Sequence, residues 1–330
     1  MSNALVAPHF QNPEAAREWL EGQRWPDGPI CSHCGTFNHA YKTAKPGWYR
    51  CAAKECRKDF TVTTGTVMER SKIALNKWLM AFYLMASSKK GISAHQLHRT
   101  LGVDYKSAWF LCHRIREAMR DGGLSTGFTG PLGGAGKVVE ADETYFGQQD
   151  NPQPSKARRG RPYTKGGKSG PSGKRMVVAL VERGGRVRSF NPATTDGGVV
   201  ADIVRENIAR ESKLYTDESS FYRSVGEEFA EHETVKHSAD EYVRVNFTWG
   251  SEGPKTEKIH TNTIENYFSV FKRGMRGIYQ HCGEKHLHRY LAEYDFRYNY
   301  RVGLGYSDID RTKAAIQGVV GKRLLYRQPH

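Results

Sequence analysis

The chain has 330 residues, enough for two or three domains that each bury a core. Its 50 lysines and arginines outnumber 35 acidic residues, and the net charge of +15 favours a polyanionic partner, nucleic acid first. A membrane partner is disfavoured, because the longest apolar run, residues 78–86, is far shorter than the roughly 20 residues of a span. The N-terminus lacks the charged and apolar regions of a signal peptide, so we expect a cytoplasmic protein.

A short helix is predicted over residues 13–22, and a compact cysteine cluster follows it. Four of the six cysteines form two close pairs, with two and four residues between their members: Cys31, Cys34, Cys51 and Cys56. Such thiolates can complete a closed tetrahedral shell around one structural Zn²⁺ in a reducing compartment. The alternative is four unrelated reduced cysteines. We predict a zinc ribbon within residues 1–66.

Residues 67–120 are predicted to form a helix-turn-helix domain. A short helix after Gly91, a turn at Gly102 and a longer helix from Tyr105 fit this motif, whose second helix enters the major groove of DNA. Helical hairpins that never touch DNA share the pattern, so both interpretations stay open. Four side chains of the second helix are candidates for DNA contact: Lys106, His113, Arg114 and Arg116.

Two segments poor in large apolar residues come next. Residues 121–136 are glycine-rich and are predicted to be a linker. Residues 149–175 carry eight lysines and arginines among glycines and prolines, with Asp150 as the one acid. Because like charges repel unless something acidic receives them, we expect a basic loop that lies along a phosphate backbone. DNA contacts are assigned there to Arg158, Arg159 and Arg161.

Residues 137–305 are predicted to form a mixed α/β domain, followed by a basic, partly helical tail over 306–330. Periodicity and turn signals predict strands over 137–146, 176–182, 186–190, 213–217 and 233–237. Helices are predicted over 199–210, 219–229, 262–274 and 284–301, and residues 240–257 are expected to be irregular. This order of strands and helices is that of an RNase H-like nuclease, with a mixed sheet.

Three acids lie on elements that this fold would bring together. Asp142 lies on the first strand, Asp217 ends the fourth, and Glu265 opens the helix over 262–274. Neighbouring strands would bring the two aspartates together, with Glu265 laid across them. Since three carboxylates in one place repel, the pattern predicts two Mg²⁺ ions (or Mn²⁺) roughly 3.5–4 Å apart. One would activate water or a DNA 3′-hydroxyl, and the other would stabilise the leaving oxygen.

The helix over 262–274 has a second polar feature. Glu265 and Lys272 are seven residues apart and project from neighbouring positions of one face, the acid toward a cation and the lysine toward a phosphate. The competing interpretation is an ordinary capping box, with Asn262 as N-cap, Glu265 three residues later and Lys272 solvated.

Other acids are expected to support or to lie outside this cluster. Glu140 shares a face of the first strand with Asp142 and is a candidate supporting group, whereas Glu143 points to the opposite face. Asp196 is expected to cap a helix, and Glu218 to be a surface acid.

The chain resembles, along nearly its whole length, insertion-sequence transposases of the DDE superfamily, in particular the ISXO-two-like branch. The matching stretches are CSHCG, CAAKECRKDFTVTTGTVME, KKGISAHQLHRTLGV, VVEADETYFG, LYTDESSFY and IHTNTIENYFSVFKRGMRG. The resemblance implies a catalytic triad of Asp142, Asp217 and Glu265, followed by Lys272. Lys272 and Arg273 are also candidates for DNA contact. Related transposases can carry asparagine as third ligand, which makes Asn262 the alternative. Glu265 is preferred because a full negative charge binds a hard cation better.

The function predicted is that of a DNA transposase. It would bind the terminal inverted repeats of its own element and cut and join strands, using Mg²⁺, with one structural Zn²⁺ in the ribbon. Two ends and a target must meet, so we expect a dimer or larger assembly on double-stranded DNA. A DNA-binding regulator without catalysis, or an RNase H-like nuclease or resolvase, are the competing functions. The roles of His237 and His260, which also resemble the family, stay open.

Overall fold

The computed structural model divides into two compact units. The first combines Met1–Phe128 with Tyr300–His330, and the second is Thr129–Asn299. The structure describes residues 4–121, 130–148, 173–236, 239–250 and 253–325. Within these residues no helix is both long and apolar enough to cross a membrane.

The first unit begins with helices packed beside a small sheet. After a 3₁₀ turn, its elements are α1 (Pro8–Gln11), α2 (Pro13–Arg24), β1 (Ala40–Lys42), β2 (Tyr49–Cys51) and β3 (Asp59–Phe60). Asn12 caps α2 by accepting from Glu14 N and Ala15 N, which satisfies donors of the first turn. The strands pair antiparallel in the order β1-β2-β3, as a ribbon built from two short hairpins would.

Three helices follow, at the place predicted for the helix-turn-helix: α3 (Leu75–Ser87), α4 (Ala94–Leu101) and α5 (Tyr105–Met119). The side chain of Ser93 caps α4, and that of Asp104 caps α5. Between them Gly102 adopts φ +59°, a left-handed conformation that glycine adopts without strain. The turn is therefore made by the residues that the sequence indicates.

The C-terminal segment belongs to the first unit instead of forming a separate basic tail. Its helix α10 (Asp308–Gln317) begins at a capping box between Ser307 and Asp310 and packs against α3. Further on, Val320 pairs with Thr66, and Lys322 Nζ donates to the carbonyl of Ala118 at 3.2 Å. The segment is partly helical, as predicted, but its packing in the first unit was not predicted, because sequence periodicity does not show which distant segment an amphipathic helix will cover.

The second unit is built on a five-stranded mixed sheet of order β6-β5-β4-β7-β8. Its strands are β4 (Val138–Gln148), β5 (Lys174–Glu182), β6 (Val187–Phe190), β7 (Lys213–Asp217) and β8 (Glu231–Val235). β4, β5 and β6 are antiparallel neighbours, whereas β7 is parallel to both β4 and β8. The predicted fold class, an RNase H-like mixed α/β domain behind a zinc ribbon, is confirmed.

Helices cover both faces of this sheet: α6 (Gly197–Asn207), α7 (Arg223–Gly226), α8 (Asn262–Gly274) and α9 (Leu287–Asn299). One core lies between β4, β5 and helices α6 and α7, and it includes Leu132, Ala141 and Val204. The other lies under α8 and α9 and includes Ala179, Ile264 and Phe271. Successive residues of β4 and β5 alternate between these cores, so the sheet is buried on both sides.

Three local predictions for this unit need correction, and a fourth is confirmed. Residues 219–229 contain only the four-residue helix α7, and the segment expected to be irregular holds a hairpin, β9 (Arg244–Gly250) paired with β10 (Gly253–Ile259). In the expected linker, Leu132 is fully buried and pairs with Ile208. The helix after Thr195 forms, with Asp196 as its cap, as predicted.

Candidate active site

The parallel pairing of β4 and β7 places two of the predicted acids side by side. Ala141 lies opposite Thr216 in the register, so the next residues of the two strands are Asp142 and Asp217. A ligand oxygen from each lies within 4.8 Å of the other, at the carboxyl end of β7. The strand order predicted from the sequence is what makes these two carboxylates meet.

Glu143 joins this cluster, although it was expected to point away. Its carboxylate oxygen lies within the same 4.8 Å as those of Asp142 and Asp217. Glu143 does occupy the other face of β4, beside Ala141 and Tyr145. However, β7 ends at Asp217, so on the β7 side of β4 no strand continues past this point to separate the two faces, whereas β5 still pairs with Glu143 on the other side. The signal was the run of two acids, Asp142 and Glu143, within β4, which alternation along that strand alone could not interpret.

Hydroxyl groups after β7 hold these carboxylates. Tyr222 Oη donates to Glu143 at 2.8 Å and Ser219 Oγ donates to it at 3.3 Å. The amide of Ser219 donates to Asp217 Oδ1 at 3.0 Å. Tyr222 is fully buried, and burial together with the charge of Glu143 raises the pKa of its phenol. Residues that follow β7 therefore hydrogen-bond to two of the three acids.

Electrostatic repulsion within the cluster is large. Burial raises the pKa of Asp142 well above its usual range, and the charges of Asp217, Glu143 and Glu265 raise it further. Burial is also the main cause that raises the pKa of Glu143. A bound divalent cation would offset this repulsion and lower the pKa of these carboxyl groups, which favours their ionised form. A set made of carboxylate oxygens is the donor set that Mg²⁺ and Mn²⁺ prefer, so the residues fit the predicted metals.

Helix α8 forms one wall of the site. An open cavity of about 520 Å³ is lined by residues of β4 and by one face of α8: Asp142, Glu143, Thr144, Glu265, Phe268, Ser269, Lys272, Arg273 and Arg276. Glu265 and Lys272 thus face one cavity, as their seven-residue spacing requires. Among the described acids, Glu265 stays outside the 4.8 Å group. Asn262 is exposed at the first position of α8 and does not line the cavity.

The capping-box interpretation of α8 was wrong. The N-cap is Thr261, whose side chain makes no cap hydrogen bond to the helix backbone, and Asn262 is already helical. The Thr261 hydroxyl instead donates to Glu265 Oε1 at 3.2 Å. Glu265 is exposed and forms part of the cavity wall.

Basic side chains of α8 give the cavity a positive rim. Lys272 is half-buried; burial lowers its pKa and the neighbouring Arg276 lowers it further, whereas Asp142 raises it. Because burial and neighbouring cations disfavour the charged form of Lys272, an anionic oxygen that enters the cavity would stabilise it. The site therefore brings carboxylates and basic side chains together at one cavity.

The four predicted cysteine ligands converge in the first unit. Their sulfur atoms lie within 4.8 Å of one another, with Cys31 to Cys56 at 3.7 Å and Cys34 to Cys51 at 3.6 Å. A tetrahedral shell with Zn–S bonds of about 2.3 Å would space its sulfurs about 3.8 Å apart, so the group fits zinc. The hydroxyl of Thr36, 3.1 Å from Cys34 Sγ, lowers the pKa of that thiol to about 6, which favours the thiolate that binds metal.

The DNA contacts predicted on α5 require a correction. His113, Arg114 and Arg116 are only 1%, 8% and 2% exposed, so they do not lie on a surface that DNA can reach in this structure. Arg114 Nη2 donates to the carbonyl of Glu69 at 2.9 Å, and its guanidinium packs over Trp78. Among the four candidates, Lys106 is the exposed one.

Some predicted residues lie outside the part of the chain that the structure describes. Arg158, Arg159 and Arg161 of the basic loop and His237 fall there. Lys174 and Arg175, at the end of that predicted loop, instead begin β5. Arg175 Nη2 donates to the carbonyl of Cys282 at 2.7 Å, so this arginine has an internal role.

Comparison with known proteins gives two family matches. The model of the ISXO2-like transposase domain matches residues 131–299, and that of the transposase zinc-ribbon domain matches residues 11–59. A protein of Halobacterium salinarum, described as an uncharacterized protein in transposable element ISH50, is 28% identical over 82% of this chain and 86% of its own length.

Among solved structures, two complexes of Mos1 are similar to this chain. The Mos1 strand transfer complex has a TM-score of 0.28 at 13% identity and covers 75% of this chain and 79% of that one. The pre-cleavage Mos1 transpososome has a TM-score of 0.26 at 13% identity, with 71% and 75% covered. The two family models together span both the cysteine cluster and the acidic cavity.

Proposed function

Because this chain belongs to the family of ISXO2-like transposase domains, we propose that it binds the terminal inverted repeats of its own insertion sequence and catalyses metal-dependent strand cleavage and strand transfer. The observation that carries this proposal is that Asp142, whose carboxylate lies beside that of Asp217, lines a cavity that Glu265 and Lys272 also line. Two ends must be brought together for joining, so the active species is proposed to be a dimer or a larger assembly on DNA.

Each group of the cavity has a proposed task. Asp142, Asp217 and Glu265 would hold two Mg²⁺ ions, with Glu143 as a further carboxylate, and bound metal would supply an activated nucleophile and a stabilised leaving oxygen. Lys272 would hold a non-bridging phosphate oxygen, and Arg273 would hold the adjoining strand. The four cysteines would hold one structural Zn²⁺ and thereby fix the ribbon.

The third metal ligand can be tested directly. We expect Glu265→Gln to lower Mg²⁺-dependent cleavage of a duplex carrying the element's own end by about 100-fold or more, since an amide oxygen replaces a full charge at the cation. We expect Asn262→Ala to keep cleavage within a few-fold of the wild type, because Asn262 does not line the cavity. Single-turnover cleavage and joining of one labelled duplex measure the rate of each variant relative to the wild type.

The opposite result identifies a different ligand or a different function. If Glu265→Gln cleaved at the wild-type rate and Asn262→Ala lost cleavage, Asn262 would be the third metal ligand. Cleavage without joining, under conditions where a free 3′-hydroxyl is present, would favour the nuclease. Tight binding of the correct end without cleavage by the wild type would favour the regulator.

We propose that the exposed beginning of α5, with the adjoining end of α4, binds DNA. Arg99, Tyr105 and Lys106 are exposed there, and helices of this motif read bases through the first residues of the second helix. We expect Lys106→Ala to weaken binding of the end duplex and to reduce the slope of log affinity against log salt by about 1, if it contacts a phosphate. Fluorescence anisotropy at several salt concentrations measures both effects.

A matched control is Arg205→Ala on α6. Arg205 is exposed, but its charge is paired with Glu228 and Asp202, at 2.6 Å in each case, so its loss should leave the salt slope unchanged. An equal decrease of the slope in both variants would argue against a specific role for the α5 surface.

A further inference from the structure

A buried acid of β4 lies directly beneath the start of α8. Glu140 is 0% exposed and stands two residues before Asp142 on the same strand face. Its carboxylate accepts from Thr263 N at 2.9 Å, Ile264 N at 3.0 Å and Thr263 Oγ1 at 2.9 Å. Helix N-termini leave such amides without partners inside the helix, and a negative charge is favourable there. Glu140, on strand β4, therefore caps the N-terminus of α8, which the Thr261 side chain does not cap.

An arginine completes this arrangement. Arg183 Nε donates to Glu140 Oε1 at 2.6 Å, and its Nη2 donates to the carbonyl of His260 at 2.6 Å and to His260 Nδ1 at 3.1 Å. Its guanidinium lies 4.8 Å from the ring centre of Tyr215, two residues before Asp217 on β7. One ion pair thus touches the elements that carry all three predicted ligands.

Apolar and polar contacts of α8 have different effects on its position. Ile264 and Phe271 are fully buried, so apolar burial already holds α8 against the sheet. That force is proportional to area and nearly without direction, whereas hydrogen bonds to a carboxylate fix distance and angle. A buried ion pair contributes little net stability compared with an apolar replacement, which makes a role in fixing geometry the better explanation.

We propose that Glu140 and Arg183 are positioning residues that set where α8 begins relative to β4 and β7. Glu265 follows Thr263 by two residues in the first turn, so the position of its carboxylate depends on this starting point. The pair acts through Glu265 and does not touch the metal or the DNA. This inference rests on the proposed function, in which Asp142, Asp217 and Glu265 share bound metal.

The test is a double-mutant cycle that pairs Glu140→Gln with Glu265→Gln, with Mn²⁺ as the probe. Glu140→Gln keeps the shape of the side chain but removes its charge. We expect it to weaken Mn²⁺ binding, measured by electron paramagnetic resonance, and to slow cleavage of the end duplex about 10- to 100-fold, because small displacements of a catalytic group have effects of this size. In the Glu265→Gln background, the same change should have no further effect on either quantity.

The matched control is Glu182→Gln. Glu182 is also a buried, ion-paired acid of this sheet, but it binds Lys137 and the amide of Gly133 and shares the face of β5 with Val178 and Leu180, opposite the face that α8 covers. It should leave Mn²⁺ affinity unchanged. If Glu140→Gln does not fold, Arg183→Lys, which keeps the charge but lacks the planar fork, enters the same cycle.

Two results would overturn the inference: unchanged Mn²⁺ affinity in folded Glu140→Gln, or an equal loss with and without the Glu265 carboxylate. Amide hydrogen exchange separates a failure of the inference from a failure of the proposed function. If the wild type bound no Mn²⁺ and cut no DNA, the proposed function would fail. Faster exchange confined to the first turn of α8 in Glu140→Gln would then still support the positioning role, and unchanged exchange would overturn it.

Discussion

Asp217→Asn is expected to abolish metal-dependent cleavage of the element's end while leaving its binding nearly intact. Asp217 and Asp142 offer ligand oxygens to the same point, so an amide at position 217 removes a negative charge from that point. A decrease of cleavage of at least about 1,000-fold, roughly 4 kcal/mol, is the expected size for a residue without which the metals cannot be held. Phosphate contacts made by basic side chains should not weaken, because the change removes an anion.

The adjacent residue provides the control for this experiment. Glu218 is exposed, and Glu218→Gln changes the net charge by the same amount one position along the chain. It should cleave at the rate of the wild type. Cleavage by Asp217→Asn at the wild-type rate would show that the chemistry occurs elsewhere, whereas joint loss of cleavage and binding would indicate damage to the fold.

The pairing of Asp142 with Asp217 could be predicted because it depends on strand order alone. Each acid lies on or at the end of an apolar run, and parallel neighbours bring equivalent positions together. The convergence of Glu143 depends on where β7 stops relative to β4, which no local pattern specifies. The same limit applies to the start of α8. Asn262 and Glu265 have the spacing of a capping box, but a carboxylate more than 120 residues away, Glu140, occupies the amides.

The buried basic residues of α5 show a second limit. Periodicity separates an apolar face from a polar one only while one side of a helix stays in water. In this fold α5 is covered by α3 and also by the C-terminal segment, and Arg114 Nε donates to the carbonyl of Leu324 at 3.4 Å. Arg114 is tolerated inside because backbone carbonyls and the rings of Trp78 and Phe110 receive its charge. A positive charge on a predicted recognition helix is therefore weak evidence for DNA contact until its exposure is known.

Replacement of Cys51 by serine is expected to release zinc and unfold the ribbon. Cys51 is fully buried at the end of β2, and its sulfur is 3.6 Å from that of Cys34. Structural zinc contributes about 10–16 kcal/mol of apparent binding free energy in small domains, as much as the whole stability of a typical domain. The three strands of the ribbon comprise only eight residues in total, three in β1, three in β2 and two in β3, so their hydrogen bonds cannot replace that contribution.

Zinc content per chain, measured by mass spectrometry of the metal, should fall from about 1 to near 0 in Cys51→Ser. Cys282→Ser in the second unit is the control and should keep its zinc, because this cysteine lies outside the four-sulfur group. The melting temperature of the first unit should decrease in Cys51→Ser and in the wild type treated with a chelator. The decrease should be the same in both. Retention of zinc by Cys51→Ser would contradict the four-cysteine site, since a serine hydroxyl does not replace a thiolate in a closed tetrahedral shell.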